Sequence, residues 1–415
     1  MKIVVMGGGV IGVTTAYELA CDGHDVTVLD RQPQAASETS FANAGLIAPG
    51  HAYTWASPRV PKILLKSLFR DDQAFKLRLR ADPRMWAWLS LFIRQCTVER
   101  ARLNTIRKLR LCLYSQERLH EVVSATGVAY DGRGGGLLYF YRTQAGFERG
   151  IANSTILREH GLPLEIVDRD RVAKLEPALA PLQDRIAGAI YAPSDESGDA
   201  HIFTCALAEY CRDKLGVCLT FETTIRGLVV QGERVEHIVI DTGKITADAY
   251  VLALGCDSPS VARQTGIRLP IYPVKGYSVT IPVRLGDTAP HLGGVDEEHL
   301  LAYARIGDRL RLTAKAEFAG YDRSHRPEDF RHLLQVARDL FPTGGDYANP
   351  CYWAGLRPMT PEGTPLLGHT RYRNLFLNTG HGHMGWTMSC GSARILADVI
   401  AGRTPGLSLE GMSLG

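Results

Sequence analysis

The sequence predicts an α/β plus α+β protein. A doubly wound parallel sheet, discontinuous along the chain, is joined to a second unit built on a largely antiparallel sheet. Three observations predict it. Residues 2–30 read as apolar strand, glycine turn, helix and second apolar strand. Two further continuous apolar runs, 249–255 and 374–378, have the character of strands buried on both faces. Between them lie runs broken by Gly and Pro turns, at the spacing of antiparallel strands. At 415 residues the chain is long enough for two such units.

The opening stretch carries Gly7-x-Gly9-x-x-Gly12 between Ile3, Val4 and Val5 and an amphipathic helix, with Val26, Val28 and Leu29 leading to Asp30. This is a Rossmann-like dinucleotide fingerprint in its required setting. Gly7 is expected to make the tight turn. Gly9 leaves room for a pyrophosphate, and Gly12 allows close helix–strand packing. The diphosphate would sit at a helix N-terminus, with Asp30 on a ribose diol.

Arg31 and the small, hydroxyl-rich segment 37–45, with Thr39, Ser40, Asn43, Ala44, Gly45 and then Leu46, are expected to lie along the ligand. A helix is expected over 62–70, with basic residues at 62, 66 and 70 on one face. Two readings stay open for it: a core helix with a solvated basic edge, or docking on an anionic membrane or a quinone. An interrupted helix spans about 83–126, a turn at 131–136 precedes a strand at 137–141, a short helix covers 168–176, and 177–181 reads as a loop. Asp195, Glu196 and Asp199 read as a solvated turn rather than a cation loop.

A helix at 202–215 and a strand at 217–221 precede three short strands from 224 to 245, followed by the run carrying Ala253 and Gly255. Strands are expected at 272–281, 300–306, 309–318 and 351–358, and a helix at 326–340. The strand at 374–378 then enters Gly380-His-Gly-His-Met-Gly385 and a final helix.

Composition sets the outer limits. The net charge is +3 with no dense basic tract, so nucleic acid is not an implied partner. Nine scattered cysteines without a C-x-x-C pair suit a reducing compartment. No run of twenty apolar residues is present, and a cytoplasmic location is expected, with peripheral attachment to the inner membrane as the variant of that reading.

The second glycine-rich helix start decides the cofactor. A nicotinamide enzyme has no need of it. A flavin does, because a helix N-terminus stabilises charge at N1–C2=O and tunes the potential. Gly380, Gly382 and Gly385 would admit the ring, flanked by His381, His383, Met384, Trp386 and Thr387. Val10, Ile11 and Ile225 complete the expected FAD contacts. His381 and His383 lack a third ligand, so no metal is expected.

Taken together, segments 38–45 (Glu-Thr-Ser-Phe-Ala-Asn-Ala-Gly), 272–278 (Tyr-Pro-Val-Lys-Gly-Tyr-Ser), 353–361 (Trp-Ala-Gly-Leu-Arg-Pro-Met-Thr-Pro) and 377–382 (Leu-Asn-Thr-Gly-His-Gly) resemble the flavoprotein amine-oxidoreductase family of D-amino-acid oxidase, glycine oxidase and sarcosine oxidase, and most closely its D-amino-acid dehydrogenase branch. The resemblance covers nearly the whole chain. It implies noncovalent FAD, hydride transfer from a D-amino acid Cα, a 2-oxo acid and ammonia as products, and an acceptor such as a quinone or a partner subunit.

The resemblance further implies that Arg357 binds the substrate carboxylate. Tyr303 reads equally as a substrate or lid contact or as a core tyrosine, Lys275 and Tyr277 read equally as pocket-lining or core residues, and His381 is a further candidate at the catalytic site. His51 is a weaker candidate. The implied division is an FAD-binding domain of residues 1–50, 190–265 and 365–415, and a substrate domain of 51–189 and 266–364. A cyclic D-imino acid, D-proline or cis-4-hydroxy-D-proline, is the alternative substrate. An NAD-linked hydroxy-acid dehydrogenase and a non-catalytic subunit are more distant alternatives.

Overall fold

The computed structural model describes residues 1–66, 75–78 and 80–414. Its first sheet has six strands, in the order Leu366–His369, Leu375–Thr379, Ala249–Leu252, Lys2–Met6, Asp25–Leu29, Cys218–Thr220. All neighbours are parallel except the first pair. Three of these strands therefore lie side by side although they start at residues 2, 249 and 375. Their run-on loops, at Gly7, Ala253–Gly255 and Gly380, leave one edge of the sheet together, the edge where ligands bind in open α/β sheets.

Helices Val10–Cys21, Ala200–Leu215 and Gly385–Ile400 cover one face, burying Val13, Phe203, Leu207 and Leu396 against Ile3, Val5 and Val251. The antiparallel meander Ile225–Gln231, Arg234–Ile240 and Gly243–Ile245 lies on the other, with Leu228, Val235 and Ile238 packed on Val4, Met6 and Tyr250. Each strand needs apolar residues on both sides, which is why the runs read as continuous rather than alternating.

The second sheet has nine strands. Cys351–Met359, Tyr272–Pro282, Arg309–Phe318, Leu301–Ile306, Gly293–Asp296, Leu137–Tyr141, Gly188–Ala192 and Glu165–Asp168 follow in order, and Phe75–Leu77 pairs with Arg309–Phe318. It is antiparallel except at two places: Gly293–Asp296 with Leu137–Tyr141, and the Phe75–Leu77 pairing. Helix Arg331–Leu340 packs Leu333, Leu334 and Ala337 onto it.

The interrupted helix is two, Pro83–Gln95 and Val98–Thr126, the second capped by the Thr97 hydroxyl, which accepts from the Arg100 N–H. The helix expected from residue 62 is described over Val60–Lys66; residues 67–70 lie outside the described residues.

Several elements differ from the sequence reading. The 177–181 loop is part of a 3-10 helix, Pro177–Arg185, because Pro177 opens it and the Glu176 carboxylate accepts from the Ala178 N–H. Helix Gln144–Glu159 and strands Gly293–Asp296 and Leu366–His369 carry too little periodic apolarity to be seen.

The expected solvated turn at 195–199 is buried. Asp195 is 0% exposed and accepts from Gly50 N–H at 2.9 Å and from the Tyr139 hydroxyl at 2.5 Å. Burial drives its pKa up to about 7. Asp199 caps helix Ala200–Leu215 and meets Arg309 at 3.2 Å.

Gly12 shows why the fingerprint packs so closely: a Cβ there would lie 1.8 Å from the Gly7 carbonyl oxygen. Gly12→Ala is expected to cost about 3 kcal/mol or more. Gly134→Ala, where the space is open, should stay within about 0.5 kcal/mol. Thermal or denaturant unfolding of the two variants side by side checks this, and equal losses would contradict the packing account.

Candidate functional site

A cavity of about 410 Å³ opens at the shared edge of the two sheets. Gly7, Gly9, Val10, Ile11 and Asp30 line one end; Ala253 and Gly255 lie along it; Gly380, His381, Gly382, His383, Met384, Gly385 and Trp386 line the other.

At the first end Gly7 has φ +114°, and a Cβ on it would stand 2.6 Å from the Ala253 carbonyl oxygen, so only glycine makes this crossing. Gly9 N-caps helix Val10–Cys21 without a side-chain cap, and Ser40 Oγ accepts from the Val10 N–H at 3.0 Å. Asp30 accepts from Gly8 N–H at 2.6 Å and Gln32 N–H at 2.8 Å, one to each carboxylate oxygen. Burial raises its pKa and those two donors pull it back. Arg31, Glu38, Asp257 and Arg323 form alternating ion pairs around this end: Arg31 with Glu38 at 2.6 Å and Asp257 at 2.8 Å, Arg323 with Glu38 at 2.9 Å.

The other end has no such balance. Arg357, on strand Cys351–Met359, projects across Gly276, where any Cβ would strike the guanidinium. It donates to the Lys315 carbonyl at 3.1 Å and lies 5.9 Å from the Trp55 ring centroid. Among the described residues it has no carboxylate partner, and burial pulls its pKa down to about 10.

Lys315 also lines this end, at φ +68°, a strained conformation for a side-chain-bearing residue. His383 stacks on Trp55 at 4.7 Å, its Nε2 buried without a partner. Burial, with Lys108, His51 and Arg357 adding to it, holds His383 well below the ordinary imidazole range. His381 is pushed down to about 3 by burial and bonds Ser392 Oγ at 3.0 Å. Among the described residues no group of three metal-binding side chains occurs.

The cavity gathers most of the residues that the sequence singled out: Thr39, Ser40, Asn43, Ala44, Gly45, Leu46, Ile225 and Tyr277 also line it. Four lie elsewhere. Gly12 is spent on helix–strand packing. Thr387 Oγ1 accepts from Ala48 N–H and donates to the Leu46 carbonyl, fixing the loop.

Lys275 is 2% exposed and donates to the Ser324 carbonyl. Tyr303 takes the core alternative of its two readings: it is fully buried against Phe341 at 4.9 Å on the far side of its strand, because residues alternate faces and 303 falls on the core side. Tyr277 reaches the cavity with its ring while its hydroxyl donates to Glu317.

Trp55 and Lys315 were missed; Trp55 sits in a segment without periodicity, and nothing in a strand pattern marks Lys315. His51 lines the cavity, with Nε2 3.1 Å from Glu297 and its ring stacked on Tyr139. Cys351 is exposed and all nine cysteines are free.

Three comparisons bear on this arrangement. The family described as FAD dependent oxidoreductase matches residues 2–399. A D-amino acid dehydrogenase 2 of Mesorhizobium japonicum is 49% identical over 415 residues, all of both chains. A D-amino acid dehydrogenase of Paramagnetospirillum magneticum is 48% identical over all of this chain and 98% of its own. Glycine oxidase from Geobacillus kaustophilus has the same fold, with a TM-score of 0.76 at 23% identity over 100% of this chain and 98% of that one.

Behind the His51–Trp55 segment, Lys108 is 0% exposed and donates to the Tyr53 carbonyl at 2.8 Å. Burial lowers its pKa from 10.5 to about 8. The unfolded chain then holds the extra proton between those values, so this group makes stability rise with pH across about 8 to 10.5. In Lys108→Met that rise should vanish, so that the difference between wild type and variant changes by about 3 kcal/mol across the window. Denaturant melts at stepped pH measure it.

Proposed function

The chain belongs to the family of FAD dependent oxidoreductases, and on that premise we propose that it is a D-amino-acid dehydrogenase whose substrate is held by Arg357. The single observation behind the substrate site is that guanidinium, half-buried and lining the cavity. An unpaired cation inside a protein is costly, and here it lines a cavity without an acid beside it. A substrate carboxylate supplies the missing charge through two parallel N–H bonds.

The residues present fit FAD. The start of helix Val10–Cys21 suits the diphosphate, and Asp30 suits a ribose diol. The glycines from 380 to 385 admit the backbone to the ring. Trp386 Nε1 and Asn378 Oδ1, both buried, cavity-lining and without partners, are polar atoms that a bound ring would satisfy. FAD held there would supply a hydride acceptor for the substrate Cα–H, with the electrons destined for an acceptor other than oxygen, and hydrolysis of the imino product by water would give a 2-oxo acid and ammonia.

The chain's own residues supply position. Arg357, braced by the Lys315 carbonyl and Trp55, fixes one end of the amino acid, so that the direction of its Cα–H is set. His383, held neutral, adds no positive charge where the amine must shed a proton. Trp55 and Trp353 wall the site against water. The D preference rests on the two relatives of nearly half identity. The acceptor, a quinone or a partner subunit, belongs to the same proposal.

Arg357→Ala is expected to raise KM by at least about a hundredfold, the loss of a charge-assisted bidentate contact, with bound FAD retained in the visible spectrum. Unchanged KM would remove Arg357 from the carboxylate role. In the wild type, anaerobic bleaching of the flavin band by D-alanine but not L-alanine tests the substrate class, and a response confined to D-proline derivatives would transfer the assignment to imino acids.

A further inference from the structure

Arg357 accounts for the carboxylate of an amino acid and leaves its other charge unplaced. At neutral pH the amino group is an ammonium, which must lose a proton before the Cα–H can leave as hydride. Besides Arg357, the titratable side chains lining this end of the cavity are His51, Tyr277, Lys315, His381 and His383.

Four of these are committed elsewhere. The Tyr277 hydroxyl donates to Glu317. Lys315 Nζ lies over the Tyr277 ring, 4.8 Å from its centroid, with Glu317 sustaining its charge. His381 bonds Ser392 Oγ, and burial holds it at about 3. His383, buried on Trp55, is held too far below the ordinary imidazole range to take a proton at neutral pH.

His51 is arranged differently. It ends the short turn Pro49–His51, with Nε2 3.1 Å from Glu297 Oε1. A carboxylate only accepts, so Nε2 carries the hydrogen. Nδ1 bonds no described residue and keeps its lone pair. The pair is partly open, with 26% of the His51 side chain and 16% of the Glu297 side chain exposed, so water can later remove a proton.

The ring is fixed by its surroundings. It stacks on Tyr139 at 5.4 Å and meets the Tyr53 ring edge-on at 6.1 Å. Asp195 secures both the turn and its support, accepting from the Gly50 N–H and the Tyr139 hydroxyl. Lys108 holds the Tyr53 carbonyl from behind. Burial, with Asp195 and Glu297 adding to it, keeps both tyrosines protonated. His51 also stands beside Arg357: His383 feels the charge of both, and its stacking partner Trp55 lies 5.9 Å from the guanidinium.

We propose that His51 is a catalytic residue: its Nδ1 takes a proton from the ammonium of the amino acid whose carboxylate Arg357 holds, and Glu297 is the counter-ion of the resulting imidazolium. The ammonium N–H bond breaks with its electron pair left on nitrogen, and a new N–H bond forms at Nδ1. That freed pair becomes the second bond of C=N as the Cα hydride leaves for FAD, the acceptor proposed above. Water takes the proton from Nδ1 once the product has gone. A carboxylate that orients a histidine and balances its charge is a recurrent arrangement in proton transfer. The inference rests on the Arg357 reading for the place of the substrate and goes beyond it in assigning the proton.

The first test is kcat/KM for D-alanine against pH, with the holoenzyme and a soluble dye. In His51→Gln only substrate that already carries a neutral amine reacts. Its kcat/KM should fall about a hundredfold or more at about pH 7 and climb about tenfold per pH unit toward the wild-type value in base. Imidazole should restore part of the activity of His51→Ala. Glu297→Gln keeps the base and loses its counter-ion, so a loss of about tenfold without the steep slope is expected. A loss by one factor at every pH, or no rescue by imidazole, makes His51 structural and overturns the proposal.

The second test needs no turnover. α-Aminoisobutyrate carries both charges and no Cα–H. When the wild type binds it, imidazole nitrogen NMR should show one histidine becoming imidazolium, a change missing from His51→Gln. An unchanged spectrum, or no binding, overturns the proposal. If the analogue protonates His51 while the wild type oxidises no D-amino acid, the enzymatic reading fails and the proton assignment stands.

Discussion

Everything at the site depends on three parallel strands being neighbours. Lys2–Met6, Ala249–Leu252 and Leu375–Thr379 lie next to one another, and a parallel ladder sends all of its chain exits to the same edge. Gly7, Gly255 and Gly380 are thereby gathered at one cavity from positions hundreds of residues apart. The glycines are needed because backbones come within contact distance there. A Cβ at Gly7 would meet the Ala253 carbonyl, and one at Gly380 would stand 2.8 Å from Thr360 Cγ2. The helices that follow present unpaired N–H groups into the space the glycines leave.

The antiparallel sheet supplies what backbone N–H groups cannot, a localised charge. Strands Tyr272–Pro282 and Cys351–Met359 pair with Gly276 opposite Gly355 and Val274 opposite Arg357. Gly355 leaves room for the Trp353 ring, and Gly276 leaves room for the Arg357 guanidinium. Its hydrogen bond goes to Lys315, a residue in left-handed backbone conformation at a break in register between Tyr272–Pro282 and Arg309–Phe318. Such strain costs about 1–3 kcal/mol and gathers at functional sites. Here it turns a carbonyl out of the ladder and toward the arginine.

Much of this was legible in the sequence, for physical reasons that vary by element. The parallel strands are apolar on both faces, so runs such as 249–255 identify themselves. The fingerprint glycines have fixed spacing because one turn geometry demands them. Gly293–Asp296, by contrast, is half glycine and is a strand only because its neighbours bury it. Asp195 reads as solvated because sequence does not reveal that Gly50 and Tyr139 come to it from other segments. Arg357 is one arginine among many until a resemblance marks it. Trp55 has no local signal at all, since its place is set by stacking on a histidine 328 positions away.

The two ends of the cavity illustrate one electrostatic rule applied in opposite senses. Around Asp30 the charges are matched: Arg31, Glu38, Asp257 and Arg323 neutralise one another within hydrogen-bonding distance, and the ligand there needs to bring only neutral hydroxyls and a diphosphate for the helix start. Around Arg357 they are unmatched, and burial already pulls the guanidinium's pKa down to about 10. A desolvated charge held by fixed dipoles and rings has paid its desolvation cost in the fold, so the substrate carboxylate proposed for this site would meet a preorganised partner and gain more than it would from an arginine in water. On the proposed reading, the cofactor is gripped where charges cancel and the substrate is selected where they do not.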